Sequence, residues 1–136
     1  MLAGSSAIVE PASPVDKPSL ISAFMQQKLA LWQKRLRLQD WKIQVKVVRK
    51  SELKPKTLGN VHWDLTTKSA VIRAMHFDDY ARDFTEVLEE LEVTIVHELI
   101  HLHLASLPRN EASRSAEEQA VNTIVEALIS LDRNKK

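Results

Sequence analysis

Cysteine is absent from this sequence of 136 residues. Disulfides and thiolate metal sites are thereby excluded, and any bound metal must be held by His, Asp or Glu. Long apolar runs are also missing. No stretch approaches the roughly 20 residues that a membrane-spanning helix needs, so no membrane partner is expected. Nor is there a charge excess. The formal net charge is +1, so no strong global field argues for nucleic acid or an anionic lipid surface. The N-terminal stretch MLAGSSAIVEPASPVDKP lacks both a basic start and a continuous apolar core. It does not read as a secretion signal, and the cytoplasm is the default compartment.

What remains is ordinary for a soluble domain: 44% hydrophobic and 27% charged residues, with enough length for one modest core. Residues 1–18 hold Ser, Ala, Gly and three prolines and read as a disordered tail or short pro-segment. Residues 19–136 read as a single domain. From Leu20 to about Leu38, with Ser19 as a candidate cap, Phe24, Leu29, Leu31, Trp32, Leu36 and Leu38 recur at helical spacing. WKIQVKVV alternates, with Trp41, Ile43, Val45 and Val47 sharing one face of a strand. Val61–Asp64 and Ser69–Arg73 read as a hairpin joined by LTTK. A long helix is predicted from Phe84, capped by Asp83, to about Ser106, where Pro108 forbids continuation. The loop PRNEASRS then leads to a last helix from about Ser115 to Leu131. Clustered strands flanked by helices predict the α+β class.

The long helix changes character partway. Val93, Ile95, Val96, Leu99, Ile100, Leu102, Leu104 and Leu107 place apolar residues all round it, the mark of a buried helix. Yet the same stretch carries HELIH, His97–His101. An unpaired buried carboxylate costs several kcal/mol or shifts its pKa upward until neutral. A divalent cation changes that balance. His97 and His101 lie one turn plus about 40° apart, so both imidazoles project from one side and can reach one zinc ion. Glu98 is poorly aimed as a ligand but is placed to take a proton from water at the metal. HExxH occurs by chance in roughly one chain per few hundred of this length, so the buried setting is what strengthens it. The competing structural reading is a core helix whose histidines bond to backbone or carboxylates. His103, two residues past His101, falls on the far side of the helix and is a poor ligand. A third ligand is still needed, and SAEEQAVN offers Glu117 and Glu118.

HELIH followed by a glutamate on the next helix resembles the gluzincin branch of the zincin metallopeptidases, and the short chain resembles its minimal members. The resemblance covers about residues 41–131. It implies a minimal zincin-like domain: an N-terminal helix, a small mixed sheet of three to four strands, an HExxH helix and a C-terminal glutamate helix. In that branch the ligand glutamate is often followed four residues later by Asp or Asn, which orients the first zinc histidine. Glu118 and Asn122 fit this spacing, which favours Glu118 as ligand. Glu117 remains the alternative, since it lies nearer the centre of the apolar face with Val121, Ile124 and Leu128. Zincins also place an edge strand above the metal to pair with an extended substrate, here expected at Leu58–Asp64. Tyr80, His76 and His62 are candidate oxyanion stabilisers, though none matches a family motif.

The expected activity is that of a zinc-dependent metallopeptidase acting on a peptide or protein substrate, with Glu98 as general base. Two other readings compete. One is a zincin-like binding or regulatory module with structural metal, its fourth ligand coming from His103, Glu111 or the N-terminal segment. The other is a metal-free helical interaction domain.

Overall fold

A computed structural model describes residues 16–134. Three helices and a three-stranded mixed sheet make an α+β domain. Helix α1 spans Lys17–Arg35. Its cap is Asp16 rather than Ser19: the Asp16 carboxylate accepts the Ser19 backbone N–H at 2.8 Å, and a proline sits in the first turn. Ser19 is the third helical residue, which presents an orphan N–H and does not supply its acceptor. Of the N-terminal segment 1–18, residues 1–15 lie outside the described residues, and Lys17 and Pro18 already belong to α1.

Strands β1 (Lys42–Val48), β2 (Gly59–Asp64) and β3 (Ser69–Met75) form a sheet of order β1-β3-β2. β3 is central, parallel to β1 and antiparallel to β2. The β2–β3 turn is held by Asp64, whose carboxylate accepts the Thr66 and Thr67 N–H groups. Val47 departs from the expected pattern. It is 43% exposed, and the contacts of β1 are chiefly with β3.

Helix α2 (Phe84–His103) is the central element, in contact with α1, α3 and the inner face of the sheet. Leu91, Ile95, Val96 and Leu99 are fully buried against Ile72 and Ala74 of β3, Ile21, Met25 and Trp32 of α1, and Val121 and Val125 of α3. Helix α3 (Glu111–Arg133) begins a turn earlier than Ser115, because Asn110 caps it by accepting the Ser113 N–H at 2.9 Å. It runs back along α2: Glu117 reaches His101, and Arg133 donates to the Glu89 carbonyl. Gly59 lets β2 approach α2 closely, since a Cβ there would sit 2.5 Å from the Arg73 carbonyl oxygen and 2.7 Å from Thr94 Cγ2. Among the described residues no helix is long and apolar enough to cross a membrane.

Candidate metal centre

The four-residue spacing on α2 sets the His97 and His101 rings 4.8 Å apart with their edges facing. Their Nε2 atoms lie 3.2 Å from each other. Glu118 closes the group from α3, with one carboxylate oxygen 2.9 Å from His101 Nε2 and the other 3.0 Å from His97 Nε2. These three side chains could hold a metal ion.

Glu117 takes a different place. Its carboxylate lies 2.6 Å from His101 Nδ1, the nitrogen facing away from Glu118. Only 11% of its side chain is exposed, against 52% for Glu118. Both candidate glutamates therefore meet His101, one at each ring nitrogen. Asn122 lines the cleft at the centre. No hydrogen bond joins it to His97 among the described residues, and the carboxylate that orients a ring is Glu117, on the second histidine.

Glu98 is 6% exposed and makes no hydrogen bond to a described residue. Burial pushes its carboxyl up to about 7; the nearby Glu118 acts in the same sense and His101 opposes it. A carboxyl held near neutrality can both accept and release a proton at pH 7. Burial also holds His97 below the ordinary histidine range, with Glu118 opposing and His101 reinforcing.

The centre opens on a cleft of about 640 Å³ bounded by β2 on one side and by His97, Glu98, Glu118 and Asn122 on the other. β2 is an edge strand. The Met75 N–H donates to the Leu58 carbonyl, which fixes the alternation of the ladder. The backbone groups of Gly59, Val61 and Trp63 accordingly point to the open edge.

The remaining sequence candidates lie elsewhere. Neither Tyr80, His76 nor His62 lines this cleft. The Tyr80 hydroxyl is buried without a hydrogen-bond partner among the described residues, and burial pushes it up to about 12. His76 caps a short turn by accepting the Asp78 N–H at 3.0 Å and stacks on Phe77. His62 is exposed and lines a shallow depression with Lys42 and Gln44, on the opposite side of the sheet from the core. His103 donates through Nε2 to the Leu36 carbonyl, away from the centre.

One residue beside the centre has no signal in the sequence. Arg109, in the short connection between α2 and α3, donates to Glu117 at 3.0 Å and to the Leu104 carbonyl at 3.3 Å. Its guanidinium lies 5.1 Å from the centre of the Trp63 ring on β2. No family model matches the chain, and no curated protein or solved structure matches it.

Proposed function

We propose that this chain is a zinc-dependent metallopeptidase of minimal gluzincin-like form, with His97, His101 and Glu118 as ligands and Glu98 as general base. The observation that carries the reading is the convergence of two Nε2 atoms, 3.2 Å apart, with one carboxylate whose two oxygens lie 2.9 and 3.0 Å from them, beside a buried carboxyl to which no described residue donates. A tetrahedral zinc with bonds of about 2.0–2.1 Å sets its ligands roughly 3.3–3.4 Å apart. The two Nε2 atoms, 3.2 Å apart, are already close to that spacing, and the Glu118 carboxylate presents one oxygen to each histidine. Two imidazoles and a carboxylate also suit non-haem iron, but Glu98 beside them is the group that hydrolysis requires and oxygen chemistry does not.

Zinc supplies Lewis acidity towards a carbonyl and lowers the pKa of water. The chain's own residues do the rest. Glu98 takes a proton from the attacking water and passes it to the leaving amine. The open edge of β2 offers backbone groups of Gly59, Val61 and Trp63 to an extended peptide, which fixes the scissile bond along the cleft. Glu117 accepts the His101 Nδ1–H and thereby leaves Nε2 for the ion.

Metal analysis of purified protein is expected to find one zinc per chain, lost in His97→Ala. Full zinc retention by that variant would show the ligand assignment to be wrong. With zinc bound, cleavage of an unfolded polypeptide is expected. Zinc that raises thermal stability without any cleavage would favour the binding-module reading instead.

A further inference from the structure

We propose that Arg109 is a positioning residue that links the substrate edge of β2 to the His101 ring, through Trp63 on one side and Glu117 on the other. This rests on the metal-centre reading above and adds to it a route by which substrate docking acts on a ligand.

The contacts are continuous. The Trp63 backbone faces the open edge of β2, and its ring lies under the Arg109 guanidinium at 5.1 Å. Arg109 donates to Glu117 at 3.0 Å, and Glu117 accepts from His101 Nδ1 at 2.6 Å. A guanidinium suits this place because it is planar and always charged: its plane lies over the indole while Nη2 donates both to one Glu117 oxygen and to the Leu104 carbonyl. An ammonium is a compact point charge that could keep one of these contacts but has no planar face with which to hold both. The chain has little slack. The Glu117 side chain is 11% exposed and that of Arg109 21%. Arg109 Nε is buried with no hydrogen-bond partner among the described residues. An orphaned buried N–H is costly. It is tolerated here while the other donors of the same group hold Glu117 and Leu104, so the guanidinium has one well-determined position.

The consequence is directional. A peptide that pairs with β2 fixes the Trp63 backbone and so its ring. The ring fixes Arg109, and Arg109 fixes the carboxylate that sets the tilt of His101. Carboxylate partners of metal-bound histidines typically contribute about 10–100-fold to metal affinity. A residue that holds such a partner contributes a share of that.

The test is a double-mutant cycle on zinc affinity, measured by chelator competition on the full chain. Arg109→Gln is expected to weaken zinc roughly tenfold, within the range for such outer contacts. Trp63→Leu is expected to weaken zinc severalfold in the wild-type background and to add nothing in Arg109→Gln; Trp63→Phe, which keeps a ring face, should restore most of the affinity. Equal effects of Trp63→Leu in both backgrounds, or unchanged affinity in Arg109→Gln, would overturn the relay. Arg109→Lys serves if the Gln variant does not fold, with partial loss expected and full affinity overturning the proposal. An independent readout needs no metal. The Arg109 Nε–H resonance of metal-free wild type should be shifted by the indole ring and slow to exchange, and both properties should vanish in Trp63→Leu. An unshifted, fast-exchanging resonance overturns the relay whether or not zinc binds. Failure of wild-type protein to bind zinc overturns the underlying reading and the relay with it. Zinc binding that ignores Arg109 overturns the relay alone.

Discussion

Two glutamates on α2 are almost equally buried and differ in every other respect. Glu92 is 5% exposed and Glu98 6%. Glu92 faces α1, where the Trp32 indole N–H donates to it at 2.7 Å and the Lys28 ammonium stands 3.6 Å away. Glu98 faces the cleft, where no described residue donates to it, and its carboxyl is pushed up to about 7. Burial alone does not mark a functional group. A buried carboxylate with a donor and a cation belongs to the packing; one left unpartnered beside a cleft is held ready for something that comes and goes.

The largest expected effect lies at Glu98. Glu98→Gln should lower peptide cleavage by at least about 10²-fold, the usual scale for a general base, with zinc retained. Glu92→Gln should leave the rate per folded molecule near wild type. Cleavage by Glu98→Gln at the wild-type rate would erase the distinction between the two.

The same pair separates by pH. In metal-free protein the folded state holds a proton on Glu98 up to about 7, against an ordinary value of 4.5. It therefore binds more protons than the unfolded chain between these values, and stability falls as pH rises through that window. The shift corresponds to roughly 3 kcal/mol. Metal-free Glu98→Gln should match wild type near pH 4 and exceed it by up to that amount at pH 8, as read from urea unfolding. Gln at position 98 that gives no gain at pH 8 would mean the carboxylate has a partner after all.

Glu92→Leu probes the other side. It strands the Trp32 indole N–H and leaves Lys28 without its counter-charge, a loss of about 1–3 kcal/mol for the buried donor. Glu92→Leu combined with Trp32→Phe removes both partners and should recover part of that loss. Full additivity of the two changes would deny the pairing.

The smallest effect belongs to a carboxylate at the surface. Arg49 and the Lys50 N–H hold Asp79 down to about 2, from 3.8. Its contribution is present above pH 3.8 and is lost as pH falls through about 2. Asp79→Asn should flatten only that part of an acid-unfolding curve.

The α+β class, the strand segments and the two histidines on one face were legible because each follows from local periodicity. The start of α1 was misread because Asp16 and Ser19 are both capping residues three positions apart, and only geometry shows which accepts and which donates. The start of α3 is hidden for a related reason: Asn110 and Ser113 have the composition of a loop, and only the fold makes them a reciprocal cap. Val47 follows the strand alternation, but alternation assigns a face and does not tell how deeply each residue on that face is buried. Arg109 could not be found from spacing, since its role depends on Trp63, which only the fold brings near. Glu117 and Glu118 are not exclusive alternatives, because one imidazole has two nitrogens and each carboxylate meets one of them.

The connection between α2 and α3 has a kinetic consequence. His101 and Glu118 are only 17 residues apart, so closing the centre costs little loop entropy. The sheet, by contrast, must bring β1 alongside β3 across an intervening strand. On the proposed metal reading, an ion supplied at the start of refolding is expected to capture the α2–α3 hairpin before the sheet forms, and so to speed refolding as well as stabilise the folded state.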